Sequence, residues 1–306
     1  MVTIYHKALK DKSIKALNEF RAGSWLYAEK PTSEELERLA DAYAFDIGLL
    51  QDAMDPYEVP RLEIEDSIIY IFIRVPYEVE GRASTAPLLI AIGTDFVLTL
   101  AEQYLPIFEK FRDERIEFST TQKTKLVLQI LSEVNNAYHR FLNNISRKIR
   151  GTSVSIDRID NKDIIQFVTF EHILNDFISA LVPINDSLRT LLHGKSLTLY
   201  EEDKDLIEDF MLSNDQLVKL CSSNIKLIVN IRGAYSTIMT NNLNRIIKVL
   251  TVLTIVLTVP MIIASFYGMN VRLPLAASDH AFWIIVSITS VISACLFGIF
   301  VYKRWL

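Results

Sequence analysis

The sequence has little of what enzymes and disulfide-stabilised domains require. It contains only two cysteines, Cys221 and Cys295, and its five histidines are scattered along the chain. Two cysteines this far apart give neither a disulfide framework nor a zinc site of the usual spacing. No nucleophile elbow, P-loop or dinucleotide-binding fingerprint occurs. These absences argue against an enzyme and against an organic cofactor.

Charged residues are absent from two stretches near the C-terminus. Val249–Tyr267 and Phe282–Tyr302 contain no Asp, Glu, Lys or Arg. Each is close to the roughly 20 residues that cross a hydrocarbon core as a helix. A buried helix of this length in a soluble protein normally carries a polar face. The sequence therefore predicts two transmembrane spans.

The flanking residues predict the topology of these spans. Arg245 and Lys248 precede the first span, and Lys303 and Arg304 follow the second. The chain begins without the basic and apolar pattern of a secretory signal. We therefore expect a multi-pass protein of the cell membrane with both termini in the cytoplasm and the short loop outside.

Acidic residues dominate the region before the spans. One of the 37 acidic and five of the 32 basic residues lie from residue 241 onward, which leaves residues 1–240 with a formal charge of −9. This charge disfavours nucleic acid as a partner and attracts cations. For most of these carboxylates, a solvated surface is the simpler interpretation.

The order of patterns predicts an α+β cytosolic domain followed by long helices. Strands are expected at 67–75, 87–92 and 95–100, and Thr32 and Glu35 form a capping box before a helix at 34–44. The predicted segments are 1–118 (cytosolic α/β domain), 119–200 (cytosolic long-helix region), 201–267 (stalk helix that includes a span at about 249–267), 268–281 (external loop), 282–302 (second span) and 303–306 (basic cytosolic tail).

The long-helix region has its own boundary signals. Ser119–Gln122 resembles a second capping box, and the helix that follows is expected to run to about Lys148. Breaks are expected at 151–155 and 193–196, and Pro183 is expected to kink the helix between them. The stalk helix would be roughly 100 Å long at 1.5 Å per residue.

A polar stripe runs along the first span. Thr251, Thr254, Thr258, Met261 and Ser265 fall within an arc of roughly 80° at 100° per residue. Polar groups at membrane depth face a bundle or water, so we expect this stripe to face a pore or a helix–helix seam. The alternative is that the hydroxyls bond to their own backbone. One helix cannot enclose a pore, so the pore interpretation requires a symmetric homo-oligomer. The stripe continues at its cytosolic end through Asn244 and Ile247.

The second span carries a different pattern. Ser290, Ala294 and Gly298 recur every four residues, which is typical of a face for close helix packing. We therefore expect this span to support the first span from outside.

The motif at the end of the first span suggests a family. Gly268-Met269-Asn270, preceded by Tyr267, resembles the signature of the CorA family of divalent-cation transporters. The two spans, the long preceding helix and the Lys-Arg-Trp-Leu tail are also similar to that family. Asp55, Pro60-Arg61 and Glu63 resemble its pattern ahead of the central strand.

The resemblance implies a funnel-shaped homopentamer in which the long helix lines the pore. Such proteins move Mg²⁺, and often Co²⁺ and Ni²⁺, down the electrochemical gradient without ATP. Asn270 would form a ring of amides that meets the hydrated ion, because Mg²⁺ holds its waters tightly and a neutral ring can bond those waters without stripping them. Met261, Leu250 and Ile247 would form apolar constrictions that block ions by dewetting.

The family also implies regulation by cytosolic Mg²⁺ bound between subunits. The residues at about the right places are Glu78 or Glu80, after a strand, and Glu208 and Asp209 on the long helix. These carboxylates would repel one another without the ion, and the subunits would then move apart.

Two alternatives to a Mg²⁺ channel stay open. The loop Val271–Leu275 contains Arg272 where the family commonly has acids, which leaves a Zn²⁺ or Co²⁺/Ni²⁺ transporter, also a proton-coupled one, or an exporter. The intact Met269 favours Mg²⁺. An oligomeric, membrane-anchored sensor or scaffold without transport is the alternative from another class.

Overall fold

The computed structural model describes residues 2–153, 159–193, 199–271, 273–274 and 279–303. The chain divides into two compact units, Met1–Asn230 and Ile231–Leu306. The boundary between these units lies inside one continuous helix, Glu201–Tyr267. The finer division into six segments stays a prediction.

A seven-stranded sheet forms the centre of the first unit. Its order is β2-β1-β3-β7-β6-β5-β4, and every neighbouring pair is antiparallel except β3 and β7. This mixed sheet confirms the predicted α+β class. The strands are β1 (Val2–His6), β2 (Lys15–Leu17), β3 (Ser24–Glu29), β4 (Arg61–Glu65), β5 (Ile68–Val79), β6 (Arg82–Ile92) and β7 (Phe96–Ala101).

Strands β5 and β6 are longer than the sequence predicts. The predicted strands end at Val75 and begin at Pro87, but β5 continues through Pro76 to Val79 and β6 begins at Arg82. The register gives the reason. β4 pairs with β5 only up to Phe72, and β7 pairs with β6 only from Leu89 onward. Each proline therefore lies where its strand has one neighbour, and a missing N–H is tolerated there.

Helices α1 (Ser33–Tyr43) and α2 (Ile47–Asp52) pack on the sheet. The predicted capping box is present, because the Thr32 amide donates to Glu35 Oε2 at 3.0 Å and the Glu35 amide donates to Thr32 Oγ1 at 3.3 Å. The apolar face of α1 is buried in the core with strand residues such as Phe72. A short helix, α3 (Glu109–Arg112), follows the sheet.

Beyond α3, the described part of the chain contains four long helices. Two sequence-based predictions near them are wrong. The second capping box is wrong, since the Ser119 hydroxyl donates to the Lys7 carbonyl at 2.8 Å and the helix begins only at Lys123. The break expected at 151–155 is wrong up to Ser153, because the helix includes Gly151. The remainder of that break and residues 194–196 lie outside the described residues. The helices are α4 (Lys123–Ser153), α5 (Asn161–His193), α6 (Glu201–Tyr267) and α7 (Ala281–Tyr302).

The first part of α6 is buried along a heptad pattern that the sequence reading missed. Asn214 lies on this face and donates to the Leu181 carbonyl at 2.7 Å and to Asn185 Oδ1 at 2.9 Å. Asn224 donates to Ser146 Oγ at 2.8 Å. These bonds join α6 to α5 and to α4. The buried residues, spaced by three and four, are Ile207, Phe210, Asn214, Leu217, Cys221, Asn224 and Ile228.

Among the described residues, three helices are long and apolar enough to cross a membrane: α5 (over Asn161–Leu192), α6 and α7. In the apolar window of α5, 39% is buried inside the protein, against 6% in α6 and 0% in α7. The apolar residues of α5 therefore serve the core of the first unit. The exposed apolar windows of α6 and α7 agree with the two predicted spans.

Candidate ion pathway

The membrane segment of α6 has two distinct faces. Thr258 of the predicted pore stripe is partly buried, and the other seven residues are exposed: Asn244, Ile247, Leu250, Thr251, Thr254, Met261 and Ser265. The opposite face is covered, from Val252, which is 2% exposed, through the partly buried Ile255, Val256, Val259 and Ile263. Within the described residues of one chain, most of the polar stripe is therefore uncovered.

The threonine hydroxyls of this stripe bond to the backbone of α6. Thr251 donates to the Ile247 carbonyl at 2.8 Å, Thr254 to the Leu250 carbonyl at 2.9 Å, and Thr258 to the Thr254 carbonyl at 2.7 Å. The backbone bonding that the sequence left as an alternative is thus present. It is compatible with a pore, because each hydroxyl has used its one proton and keeps its oxygen lone pairs as acceptors.

Large apolar side chains interrupt the polar stripe. Met261, Leu250 and Ile247 are 66%, 61% and 50% exposed. Side chains of this size on an otherwise polar face are costly unless neighbouring copies or lipid cover them.

The Gly268-Met269-Asn270 motif forms the turn that ends α6. The Gly268 amide donates to the Ala264 carbonyl at 3.0 Å, and the Met269 amide donates to the Phe266 carbonyl at 3.1 Å. Tyr267 Oη donates to the Pro274 carbonyl at 3.1 Å. This hydrogen bond joins the residue before the motif to a residue after it. Met269 and Asn270 are both exposed. Arg272, the basic residue that follows the motif, and Leu275 lie outside the described residues.

Gly268 is not required by the local backbone. A Cβ atom built there would lie 3.5 Å from the carbonyl oxygens of Ala264 and Ser265, which is ordinary van der Waals contact. Its φ angle is not in the left-handed region that favours glycine. If glycine is required at this position, the requirement therefore comes from a contact outside the single chain.

The small-residue face of α7 differs from the prediction. Ser290, Ala294 and Gly298 are exposed, while Thr289 and Ser293 lie on the partly buried side. A Cβ atom on Gly298 would meet nothing within 4 Å. The expectation that this face packs against the first span is therefore wrong within one chain. Lys303 is exposed, and residues 304–306 lie outside the described part.

The four predicted regulatory acids lie at two places in the first unit. Glu78 is near the end of β5, and Glu80 forms the hairpin turn with φ of 49°. Glu208 and Asp209 are exposed on α6. Asp209 lines a cavity of about 350 Å³ between α4 and α6, while Glu78 lines others. Among the described residues of one chain, no three His, Cys, Asp or Glu side chains form a group that could hold a metal.

Two upstream residues of the resemblance, Arg61 and Glu63, belong to a structural cluster. Arg61 binds Asp52 at 2.7 Å and Glu63 at 2.5 Å, pairs with Glu58, and lies 4.1 Å from the centre of the Phe72 ring.

Arg74, which the sequence reading missed, holds the same loop. Its guanidinium donates to the Glu58 carbonyl at 2.7 Å and to the Pro56 carbonyl at 2.9 Å. These charges therefore fix the segment before β4 against the sheet. A lone arginine inside a hydrophobic strand was the available signal for this role.

An α+β unit followed by two exposed apolar helices defines a two-span membrane protein. The chain matches the family model described as CorA-like Mg²⁺ transporter protein over residues 21–304. It therefore belongs to that family, which is one of transporters and not of enzymes.

Individual relatives agree over nearly the whole length. The chain is 24% identical over 294 residues to the cobalt/magnesium transport protein CorA of Methanocaldococcus jannaschii, covering 92% of this chain and 91% of that protein. The complete structure of the CorA magnesium transporter of that organism has the same fold, with a TM-score of 0.89, 22% identity and 100% and 99% of the two chains covered. The full-length CmaX protein matches with a TM-score of 0.76 at 16% identity, over 99% and 97% of the chains.

Proposed function

We propose that the chain is a passive, channel-type transporter of Mg²⁺, and also of Co²⁺ or Ni²⁺, in the cell membrane. Both termini would be cytoplasmic, and several copies, five by the family resemblance, would enclose the pathway. The observation that carries the proposal is the exposed face of α6 whose threonine hydroxyls are already bonded to their own backbone.

The orientation of these hydroxyls suits a hydrated cation. The first-shell waters of Mg²⁺ point their hydrogens outward, and the ion releases them reluctantly. A hydroxyl that has donated its proton to the backbone can only accept a bond. A ring formed by Thr251, Thr254 or Thr258 from several copies would therefore accept bonds from these waters and disfavour anions.

The mouth and the constrictions have complementary roles. Asn270, held at the turn after Gly268 and Met269, would form the outer ring and bind the hydrated ion through neutral amides. A carboxylate ring would hold a divalent cation too tightly for release. Met261, Leu250 and Ile247 would form apolar rings that exclude ions when the pore is narrow, while Asn244 and Ser265 would continue the polar lining at either end.

Cytosolic Mg²⁺ would act on this pathway through α6. Glu208 and Asp209 lie in the same continuous helix as the threonine stripe. Mg²⁺ shared between one subunit and the next would neutralise the acids and hold the cytosolic units together. Loss of the ion would leave like charges facing each other. Glu78 and Glu80 are weaker candidates for this role, because Glu78 shares its cleft with three basic side chains.

The test is ion flux into vesicles that contain the purified full chain. We expect uptake of Mg²⁺ down its gradient without ATP, and its inhibition by high Mg²⁺ on the cytosolic side. Asn270→Ala should abolish uptake, whereas Asn242→Ala, an exposed asparagine outside the proposed stripe, should leave it unchanged. Normal uptake by Asn270→Ala would contradict the proposed mouth.

The same vesicles distinguish the alternatives. Uptake of Zn²⁺, Co²⁺ or Ni²⁺ without Mg²⁺, or a dependence on a pH gradient, would replace the Mg²⁺ channel with a different transporter. No flux of any divalent ion from an intact oligomer would support a sensor or scaffold.

A further inference from the structure

A cleft of about 360 Å³ lies in the first unit, and none of its lining residues belongs to the proposed pore stripe. Its walls come from the tip of the β5–β6 hairpin, from the second half of α4 and from the start of α5. The hairpin closes at Glu80 and Gly81, whose φ angles of 49° and 77° are both left-handed, and Arg82 follows directly. The volume falls within the range of about 300–1,000 Å³ that is typical of small-molecule sites.

Three basic side chains line this cleft, each from a different element. They are Arg82 of β6, Lys148 of α4 and Lys162 of α5, and Glu78 is the one acid in the lining. In the part of the chain that the structure describes, none of the three cations takes part in a salt bridge. The surrounding residues 1–240 carry a formal charge of −9. The fold thus assembles three unpaired cations in an acidic unit, an arrangement that an anion would stabilise.

The rest of the lining combines aromatic, aliphatic and uncharged polar side chains. Phe141 and Phe170 contribute rings, and Lys148 Nζ lies 6.0 Å from the centre of the Phe170 ring. The amides of Asn144 and Gln166 add both donors and acceptors. An inorganic anion gains little from contact with aromatic rings. A planar heterocycle stacks on such rings and forms hydrogen bonds to amides at its edge.

We propose that this cleft binds an organic phosphate with a planar aromatic body, which is the chemistry of a nucleotide. The phosphate groups contact Arg82, Lys148 and Lys162, since guanidinium and ammonium groups are the usual protein partners of phosphate. The base lies against Phe141 and Phe170. This inference does not depend on the proposed transport function.

Removal of the negative charge of Glu78 tests the proposal, because the direction of the change in nucleotide affinity is predicted. Its carboxylate lies in a cleft that would receive phosphate, so it opposes binding by charge repulsion. Glu78→Gln should therefore tighten the nucleotide. If Glu78 instead held a regulatory cation, the same substitution would relieve inhibition by Mg²⁺ and would leave nucleotide affinity unchanged.

The experiment is calorimetric titration of the purified full chain at fixed free Mg²⁺, with ADP, adenosine and inorganic phosphate as separate probes. We expect ADP to bind more tightly than either part alone. Arg82→Gln and Lys162→Gln should each weaken ADP about tenfold, the loss of one charge-assisted hydrogen bond. Lys219→Gln, an exposed lysine of α6 outside the cleft, is the control and should change nothing.

Four outcomes would overturn the proposal. They are no binding of ADP, equal binding of ADP and inorganic phosphate, equal binding of ADP and adenosine, and ADP binding that both cleft variants leave intact. Because Arg82 and Lys162 are exposed, the variants are expected to fold, and circular dichroism checks this. Mg²⁺ flux in the same preparations separates a failure here from a failure of the transport proposal.

Discussion

Thr258 donates its hydroxyl proton to the carbonyl of Thr254 at 2.7 Å, one turn back along α6. Thr254 in turn donates to the carbonyl of Leu250. The two hydroxyl oxygens therefore lie on the same side of α6, exposed at Thr254 and partly buried at Thr258, as acceptors without a free proton. This arrangement decides what the face can bind, because it matches the outward hydrogens of a hydrated cation and repels an anion.

Removal of one of these acceptors should reduce transport. Thr258→Val keeps the shape of the side chain and removes its oxygen. We expect Mg²⁺ flux in vesicles to fall about tenfold, since a ring of such substitutions removes a bond to the hydrated ion from every subunit. Thr258→Ser retains the hydroxyl and should retain most of the flux.

A matched control for this experiment is present in the second span. Thr289 of α7 also donates to the backbone, to the Ile285 carbonyl at 2.7 Å, but it does not belong to the stripe. Thr289→Val should leave flux unchanged. An equal loss in the two valine variants would show that the bond to the backbone, and not the hydroxyl oxygen of the stripe, explains the effect.

Substitution of Gly268 should leave folding intact and reduce transport. Gly268→Ala places a Cβ 3.5 Å from two backbone oxygens, so the single chain accommodates it. We expect normal expression and oligomerisation but reduced flux, because the added methyl narrows the space where several copies would meet. Size-exclusion chromatography and vesicle uptake measure the two effects. Wild-type uptake by this variant would argue against close approach at the mouth.

Asn214 should contribute strongly to the stability of the first unit. It is fully buried and donates to both Leu181 and Asn185. Asn214→Ala leaves these acceptors without their donor in the core, which should cost about 1–3 kcal/mol. Thermal unfolding followed by circular dichroism measures the change, and the exposed Asn242→Ala is the control. An unchanged midpoint would show that water replaces the lost donor.

Glu114 should contribute to the pH dependence of stability. Its carboxylate accepts from Lys7 Nζ at 3.0 Å and from the Ile14 amide at 2.6 Å, and these bonds hold the pKa of Glu114 below its usual value. A lowered folded pKa means that the stabilisation is present above the unfolded value of about 4.5 and is lost as pH falls through the folded pKa.

The matching variant is Glu114→Gln. Its stability should be lower than that of the wild type at neutral pH, and it should decline less between neutral and acidic pH. Thermal midpoints across that range test this, and a parallel decline in the two proteins would exclude Glu114 as a source of the pH dependence.

The elements that the sequence predicted well are those with strong local patterns. The capping box at Thr32, the helix Glu201–Tyr267 and the family were all confirmed. In long periodic segments and in a long run without charged residues, many residues indicate the same structure. Short edge strands such as β2 were missed, because three residues carry too little pattern to predict a strand.

The wrong predictions concern positions where a contact with a residue distant in the sequence outweighs the local sequence pattern. Ser119 has the sequence of a helix cap, but it bonds to Lys7, more than a hundred positions away in the chain. The predicted strand ends just before Pro76. The strand continues there because β5 has only one neighbouring strand at that point and the missing N–H of proline is tolerated. Neither partner is visible from the local sequence.

The amino-acid sequence by itself determined the two apolar spans, the polar stripe between Thr251 and Ser265, and the motif at Gly268. Each depends on the spacing of residues along one helix or one turn, and helical geometry fixes that spacing. Only the tertiary structure decided that the covered side of α6 is the one opposite the stripe, and that Arg82, Lys148 and Lys162 line one cleft. Those residues are remote in the chain, and it is the packing of separate elements that determines which side chains meet.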